Sequence, residues 1–331
     1  MVVTGGCGFI GSNLVHFLLE RHPDWQVVNV DALTYAANPH NLQELENNPR
    51  YRFVHLDVSD RDGVRAMLEE VGPQGVFHLA ADTHVDNSIR DAEPFIRNNI
   101  IGTWVLLEET KRLWGDDRSR RFLHVSTDEV YGTLGPNDPA FNEHTPYAPT
   151  NPYSASKAAS DHLVRAWHHT HGMNVVTTHC SNNFGPRQHS EKLIPTVIRT
   201  ALAGRPIPVY GQGLNVRDWL YVGDHCSAIN AVFERGTAGE TYAIGTRNEW
   251  RNIDLVRAIC AVLDEEVEGG PKGGHASLIT YVTDRPGHDL RYSIDPTRIE
   301  TELGWHAEAG FDEGLRRTVQ WYVQEGQRAA V

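Results

Sequence analysis

A glycine-rich segment near the start of the chain restricts its fold more than any other feature. Residues 5–11, GGCGFIG, fit both GxGxxG and GxxGxxG. An apolar run at 2–4 precedes the segment and a helical pattern over 12–21 follows it. In that context glycines form a tight turn that lets the backbone approach a pyrophosphate, and the start of the helix faces the anion. The segment predicts the first βα unit of a dinucleotide-binding sheet.

The first half of the chain alternates apolar runs with helical patterns, which is typical of parallel βαβ units. The predicted strands lie at 2–4, 26–30, 51–56, 75–79, 121–126 and 174–179. The predicted helices lie at 12–21, 62–70, 95–114 and 154–171, with two more at 253–263 and 311–324. We therefore predict an α/β fold with a Rossmann-type doubly wound parallel sheet and a smaller, mixed C-terminal substrate-binding domain. Residues 1–180 would form the dinucleotide-binding domain with the catalytic residues, and 181–331 mainly the substrate-binding domain, with possible crossovers back to the first.

An aspartate after the second predicted strand indicates which dinucleotide binds. Asp31 follows Gly11 by twenty residues, where a carboxylate accepts hydrogen bonds from the adenosine ribose and repels a 2′-phosphate. This favours NAD over NADP; the alternative is an ordinary turn aspartate. Asp57 and Val58 follow the third strand at the expected adenine edge. Small residues after the fourth strand would let backbone pass close to the cofactor, although packing explains them equally well.

Two short segments carry residues suited to acid–base chemistry. Tyr153 and Lys157, in YSASK, lie one helical turn apart, and the ammonium is expected to lower the phenol pKa toward working pH. Thr127, Asp128 and Glu129, in STDEVYG, stand at the end of a predicted strand. Neighbouring carboxyls can be tuned apart so that one donates a proton and the other accepts one, as a β-elimination requires. The alternatives are a surface helix pair and a solvated acidic turn.

Seven motifs between residues 4 and 225 together resemble one known group, and the resemblance continues over nearly the whole chain to DRPGHDLRYSID at 284–295. TGGCGFIGS, VDALTYAAN, HLAADTHVDNSI, STDEVYG, YSASK, SNNFGPRQHSEKLIP and RDWLYVGDH resemble the extended short-chain dehydrogenase/reductase superfamily, and within it the dTDP-glucose 4,6-dehydratases. The residues at 127–129 distinguish this group from the related 4-epimerases, which lack the acidic pair. The resemblance implies a hydro-lyase that converts dTDP-glucose to dTDP-4-keto-6-deoxyglucose by C4 oxidation, C5/C6 elimination of water and hydride return to C6. The alternative is a nucleotide-sugar 4-epimerase or a 4,6-dehydratase that acts on another nucleotide sugar.

The resemblance also implies a role for each catalytic residue. Tyr153 would take the proton of the sugar 4-hydroxyl while Thr127 hydrogen-bonds that oxygen, and Lys157 would support the phenolate and hold the nicotinamide ribose. Glu129 would remove the C5 proton and later return it. Asp128 would protonate the departing 6-hydroxyl.

The matching motifs further imply two sets of binding residues. The cofactor set is Gly5, Gly8, Phe9, Ile10, Gly11, Asp31, Leu33, Thr34, Asp57, Val58, Leu79, Ala80, Ala81, Thr83, Asn98, Tyr153, Lys157 and Asn183. The substrate set is His84, Thr127, Asn182, Lys192, Leu193, Pro208, Tyr210, Arg217, Asn252, Arg285, His288 and Tyr292. Arg217 and Arg285 suit diphosphate oxygens because a planar guanidinium binds them in a forked geometry. Any one of these positions has the alternative of an ordinary loop or surface residue.

Composition limits the partners and the compartment. The net charge of −13 argues against a phosphate-backbone binder, so no nucleic-acid partner is expected. Four cysteines without a CxxC pair predict a reduced, cytoplasmic protein. No apolar run approaches membrane-spanning length, and the histidines lack ligand spacing, so no metal is expected. The resemblance implies a homodimer, in which the helices at 95–114 and 154–171 pair with their copies as a four-helix bundle. Apolar residues at Ile100, Ile101, Trp104, Leu107, Leu163 and Trp167 would serve that interface or the core.

Overall fold

Seven parallel strands form the main sheet of the computed structural model, which describes residues 1–284 and 289–328. In chain order the strands of the described residues are β1 (Val2–Thr4), β2 (Val27–Asp31), β3 (Tyr51–His55), β4 (Gly75–His78), β5 (Arg121–Thr127), β6 (Val175–Cys180), β7 (Asn182–Phe184), β8 (Ile207–Tyr210), β9 (Val216–Tyr221), β10 (Thr241–Ile244), β11 (Glu249–Arg251) and β12 (Ile279–Val282). The main sheet has the order β3-β2-β1-β4-β5-β6-β10, with every pair parallel. The predicted Rossmann-type fold class is confirmed.

Helices cover both faces of this sheet. They are α1 (Phe9–Arg21), α2 (Arg61–Val71), α3 (Val85–Arg90), α4 (Glu93–Phe95), α5 (Gly102–Trp114), α6 (Pro152–His171), α7 (Leu193–Leu202), α8 (Val222–Arg235), α9 (Asn252–Glu266), α10 (Thr297–Leu303) and α11 (Phe311–Arg328). Side chains of α1, α8 and α10 pack in one buried cluster, and those of α2, α5 and α6 in another. Because both faces are covered, most strands of the sheet are buried along nearly their whole length, whereas the edge strand β3 is partly exposed. Among the described residues, no helix combines the length and the apolarity needed to cross a bilayer.

The helix predicted over 95–114 differs from the observed one at its start. A π-helical turn, Ile96–Ile101, connects α4 to α5. The Asn99 side chain in this turn accepts from the Asp82 backbone N–H at 2.8 Å and donates to the Ser156 hydroxyl at 2.8 Å. Single π turns occur frequently at functional sites, and this one ties the loop after β4 to α6.

The smaller sheets come from the C-terminal half. The strands β7, β9 and β11 form a mixed three-stranded sheet, and β8 pairs with β12 in parallel. Helices α7, α9 and α11 pack into a separate buried cluster. In contrast, β10 pairs with β6 of the main sheet, and α8 packs on α1. The C-terminal half therefore contributes strands to the main sheet as well as to the smaller sheets. The carboxyl ends of β5 and β6 face the smaller sheets.

Candidate active site

A deep cleft runs along the carboxyl ends of the main-sheet strands, the edge where open α/β sheets bind ligands. The predicted cofactor residues that line it are Gly5, Gly8, Phe9, Ile10, Gly11, Asp31, Thr34, Asp57, Val58, Leu79, Ala80, Ala81, Thr83, Asn98, Tyr153, Lys157 and Asn183. Leu33 is the one predicted cofactor residue outside that lining, with an exposed side chain.

The glycine loop between β1 and α1 packs too closely against neighbouring backbone to carry side chains at two of its positions. Gly5 has a φ of +71°, and a Cβ there would lie 2.8 Å from the backbone of Ala80. A Cβ at Gly11 would lie 2.1 Å from the Gly5 carbonyl oxygen. Gly8 precedes the first residue of α1 and lines the cleft. The loop therefore presents bare backbone and a helix N-terminus to the cleft, which fits a pyrophosphate.

Asp31 ends β2 with its carboxylate fixed by backbone. One oxygen accepts from the Cys7 N–H at 2.9 Å and the other from the Leu33 N–H at 2.8 Å. Burial raises the Asp31 pKa, and these two hydrogen bonds act in the opposite direction. Leu33, with a φ of +53°, thus shapes the ribose edge of the cleft through its backbone.

The start of α6 places the tyrosine and the lysine. Asn151 and Ser154 cap the helix reciprocally, and Pro152 occupies its first turn. The caps fix where the helix begins, so that Tyr153 is its second residue and Lys157 lies one turn later. The Lys157 ammonium donates to the Val125 carbonyl oxygen at 2.8 Å. Burial lowers the Lys157 pKa to about 8.

The acidic pair lies in a 3₁₀ turn, Asp128–Tyr131, directly after β5. Thr127 caps this turn, accepting from the Glu129 N–H at 3.3 Å. Asp128 is 2% exposed. Its pKa is raised well above the ordinary value, first by burial and then by the charges of Glu129 and Asp218. Burial therefore favours the protonated form of Asp128, which is the form able to donate a proton.

The phenol of Tyr153 faces this turn. Burial, followed by the charge of Glu129, raises the Tyr153 pKa well above the ordinary value. This differs from the expectation that Lys157 lowers the phenol pKa. The reason is geometric, because the ammonium donates to a backbone oxygen of β5 while the phenol faces two carboxyls. A base, an acid and a phenol consequently meet at one end of the cleft.

Several buried polar atoms at this end have no hydrogen-bond partner among the described residues. They are Asp128 Oδ2, Asn182 Oδ1, Asn183 Oδ1 and Gln188 Oε1. Buried polar atoms are nearly always paired in native proteins, so this group marks a place for a polar ligand. These four side-chain oxygens suit a ligand that presents hydroxyl and amide groups.

The predicted substrate residues fall into three groups. Thr127, Asn182 and Lys192 line the cleft. Two predicted substrate residues, Arg285 and His288, lie outside the described residues. The others lie outside the lining and are His84, Leu193, Pro208, Tyr210, Arg217, Asn252 and Tyr292.

Within this third group, Arg217 lies near the acid. Its guanidinium is buried, stacks over the Tyr292 ring at 4.4 Å and donates to the Asp289 carbonyl oxygen at 3.0 Å. The positive charge of Arg217 acts to lower the Asp128 pKa, against the larger effect of burial, which raises it. His84 caps α3 and lies 3.4 Å from a carboxylate oxygen of Glu191.

The remaining members of the third group are dispersed over the C-terminal elements. Asn252 is the first residue of α9, and its buried Oδ1 has no hydrogen-bond partner in the described part of the chain. Leu193 begins α7, whereas Pro208 and the exposed Tyr210 belong to β8.

The sequence interpretation assigned no role to six polar residues of the cleft, namely Asp82, Ser126, Ser181, Gln188, His189 and Glu191. All six lie within motifs that were recognised. Asp82 follows Ala81 directly, and its carboxylate accepts from the Asn98 amide at 2.5 Å. For Asp82, Ser126 and Ser181 the position at or just after a strand end was the available signal, since strand ends in a parallel sheet meet at one edge.

Known proteins are similar to this chain over nearly its whole length. A family model described as GDP-mannose 4,6 dehydratase matches residues 2–318. A dTDP-glucose 4,6-dehydratase from Xanthomonas campestris pv. campestris (strain B100) is 53% identical, over 97% of this chain and 92% of its own.

Two solved structures are also similar over nearly their full lengths. A dTDP-glucose 4,6-dehydratase from Streptomyces venezuelae, with NAD and TYD bound, is 42% identical at a TM-score of 0.89, covering 99% of this chain and 98% of its own. A dTDP-glucose 4,6-dehydratase from Bacillus anthracis str. Ames, in complex with NAD, is 42% identical at a TM-score of 0.88, covering 98% and 97%.

Proposed function

This chain belongs to the dTDP-glucose 4,6-dehydratase family, and from that premise we infer that it catalyses the NAD-dependent dehydration of dTDP-glucose to dTDP-4-keto-6-deoxyglucose. One observation carries this inference. Thr127, Asp128 and Glu129 share the end of a dinucleotide-type cleft with Tyr153, so oxidation and elimination chemistry are available on one sugar. The acidic pair weighs against the 4-epimerase alternative, which needs no elimination.

The cleft fits NAD. The bare glycine loop suits the pyrophosphate, and the fixed carboxylate of Asp31 suits an unphosphorylated ribose. Asp57 and Val58 would lie at the adenine, and Lys157 and Asn183 at the nicotinamide ribose and amide. When bound, NAD would serve as the acceptor and later the donor of the sugar hydride.

Tyr153 and Thr127 would act at the sugar 4-hydroxyl. Once ionised to the phenolate, Tyr153 would accept the proton of the 4-hydroxyl, while the Thr127 hydroxyl would hold the same oxygen in place. Support comes from the position of both side chains in the lining of the cleft. Lys157, a buried cation on the same helix face, would favour the phenolate over the phenol before the proton is taken.

Asp128 and Glu129 would act on C6 and C5. Glu129 takes the C5 proton, which the neighbouring 4-keto group has made acidic, and returns it at the end of the cycle. Asp128 gives its proton to the departing 6-hydroxyl, which leaves as water. The raised pKa of Asp128 supports this division, since burial keeps it protonated. One carboxyl is thus poised as an acid and its neighbour serves as the base.

The nucleotide diphosphate of the substrate would extend from the cleft toward the C-terminal elements. We assign Arg217 to the diphosphate, because its buried cation lies near the acid. Asn182 and Lys192 line the cleft, and both would contact the nucleotide sugar. The other proposed contacts are His84, Leu193, Pro208, Tyr210, Asn252, Arg285, His288 and Tyr292.

The division of labour between two domains is part of this proposal. Residues 1–180 would bind NAD and carry the catalysis, and 181–331 would mainly bind the nucleotide sugar. The pairing of β10 with β6 supports a crossover back into the first domain. We further propose that the enzyme works in the cytoplasm, where its buried thiols stay reduced.

A homodimer through a four-helix bundle is the proposed assembly. Ile89, Ile96 and Ile101 are exposed large apolar side chains along α3 and the π turn, at 62%, 51% and 43%. Leu107, by contrast, is fully buried and belongs to the core. Neighbouring exposed apolar side chains are typical of a surface that binds another protein, so these isoleucines next to α5 support a dimer contact at this face in solution.

Replacing Ile96 and Ile101 together with arginine is expected to weaken this dimer. Each isoleucine contributes apolar burial, so the dissociation constant should rise at least about tenfold. Sedimentation velocity at micromolar protein would measure the change. Phe53→Arg, at another exposed apolar position on β3, is the control and should leave the dimer intact. A monomeric unsubstituted protein would contradict the proposed assembly.

Product identification tests the proposed function directly. The purified protein is incubated separately with dTDP-glucose and UDP-glucose, and products are identified by mass. We expect dTDP-glucose to lose one water, giving the 4-keto-6-deoxy product. A product of unchanged mass with inverted C4 would indicate the epimerase, and dehydration of UDP-glucose in preference would indicate another nucleotide.

A further inference from the structure

The helix face that carries Tyr153 and Lys157 continues one turn further to Asp161, which the proposed chemistry does not use. The three residues are spaced by four along α6. Their exposed fractions are 6%, 4% and 4%. A carboxylate buried to this extent is costly unless it is hydrogen-bonded and its charge is compensated. Asp161 therefore needs an explanation.

Four side chains from outside α6 surround the carboxylate. Ser126, Tyr147 and His179 reach Oδ2 at 3.0, 3.2 and 3.0 Å, and His124 reaches Oδ1 at 3.1 Å. Burial would raise the Asp161 pKa, but the hydrogen bonds from His124 and His179 outweigh it and hold the pKa well below its usual range. Asp161 is consequently a buried anion at neutral pH.

The His124 imidazole does not neutralise this anion, because burial lowers its pKa to about 4 and the ring is uncharged at pH 7. The His179 ring is hydrogen-bonded on both sides, with Nδ1 at 2.5 Å from the Tyr131 hydroxyl and Nε2 at 3.0 Å from Asp161 Oδ2. A further buried cation lies on α6 itself.

Lys157 is a buried cation one helical turn before Asp161, and the two side chains reach adjacent residues of β5. The Lys157 ammonium donates to the Val125 carbonyl oxygen, and the Asp161 carboxylate accepts from the Ser126 hydroxyl. The charge of Asp161 acts to raise the Lys157 pKa, against the larger effect of burial. The groups that face Lys157 from the packed strands are His78 on β4, His124 on β5 and Cys180 on β6. Burial lowers the pKa of both imidazoles and raises that of Cys180 to about 12. None of these three is charged at neutral pH, whereas Asp161 is.

We propose that Asp161 is a positioning residue of this active site, whose buried negative charge keeps the Lys157 ammonium protonated behind Tyr153. The inference rests on the proposed function, in which Lys157 holds the nicotinamide ribose and supports the phenolate. A nearby opposite charge shifts a pKa by roughly 1–3 units. Without Asp161, Lys157 would lose its proton at a pH lower by about that amount.

Cofactor binding as a function of pH tests this role without using the sugar. Calorimetric titration with NAD is compared for the unsubstituted protein, Asp161→Asn and Tyr147→Phe. Tyr147→Phe removes one hydrogen bond to the same oxygen but no charge, so it is the matched control. We expect Asp161→Asn to lose NAD affinity with rising pH about one unit or more earlier than the other two.

ADP provides an internal reference, because it lacks the nicotinamide ribose that Lys157 would hold. Its affinity should show the same pH dependence in all three proteins. If Asp161→Asn binds NAD with the pH dependence of the unsubstituted protein, the proposal is overturned. Absence of the 4-keto-6-deoxy product would instead remove the proposed function and leave these titrations interpretable.

Stability provides a second test that needs no ligand. Unfolding midpoints are measured for Asp161→Asn, Lys157→Met and the double variant. Because either single change leaves the other group buried without compensation, the double variant should lose less than the sum of the single losses. Should Asp161→Asn alone fail to fold, recovery of folded protein by the added Lys157→Met change supports the pairing. Additive losses, or no recovery, would contradict it.

Discussion

Glu129→Gln is expected to lower dehydration of dTDP-glucose by about 10²–10⁴-fold, the usual contribution of a general base. Glutamine keeps the shape of the side chain but does not accept the C5 proton. The substitution should leave the Thr127 cap and the 3₁₀ turn intact, because Thr127 accepts its hydrogen bond from the backbone N–H of residue 129 and not from the side chain. Oxidation at C4, which needs Tyr153, is expected to survive in part.

The measurement separates these two steps. Loss of water is followed by mass, proton exchange at C5 by incorporation of solvent deuterium, and C4 oxidation by the absorbance of the reduced nicotinamide. Glu129→Gln should lose the first two signals and retain some of the third. Glu20→Gln, at an exposed position of α1, is the matched control. Turnover unchanged by Glu129→Gln would remove this residue from the mechanism.

Tyr153→Phe is expected to lower activity by about 10²–10⁴-fold for a different reason. Phenylalanine fills the same buried space but has no oxygen to accept the proton of the 4-hydroxyl. The block therefore falls before the ketone forms. Neither reduced nicotinamide nor deuterium at C5 should appear, which distinguishes this variant from Glu129→Gln.

A matched control excludes a general effect of losing a phenol. Tyr51→Phe removes a half-buried hydroxyl on β3 that accepts from the Asn29 amide at 3.1 Å, outside the residues that line the cleft. It should keep turnover close to that of the unsubstituted protein. Reduced nicotinamide formed by Tyr153→Phe at an undiminished rate would assign the proton transfer to another group.

Local sequence was sufficient for the elements of the main sheet. Each of its first six strands is observed within two residues of the predicted bounds, because a parallel strand covered on both faces is a short apolar run that needs no distant information. The helix over 95–114 was predicted without its π turn. The Asn99 side chain in that turn bonds Asp82 and Ser156, contacts that no local pattern reveals.

The C-terminal half was less predictable. Helices α9 and α11 were predicted from their periodicity, but the return of β10 to the main sheet was left open. Four residues, Thr241–Ile244, are too few for a pattern to say which sheet they join. Their pairing with β6 is decided by long-range contacts.

Sequence alone determined which chemical groups this protein carries and in what local order. The glycine segment, Asp31, the acidic pair after β5 and the tyrosine–lysine spacing on α6 are all local patterns whose geometry follows from the strand or helix that holds them. Charge states, however, came only from the tertiary structure. Burial keeps Asp128 protonated, and His124 and His179, from neighbouring strands, keep Asp161 ionised. A pKa depends on desolvation and on charges brought close by folding, and neither is written in the spacing of residues along a chain.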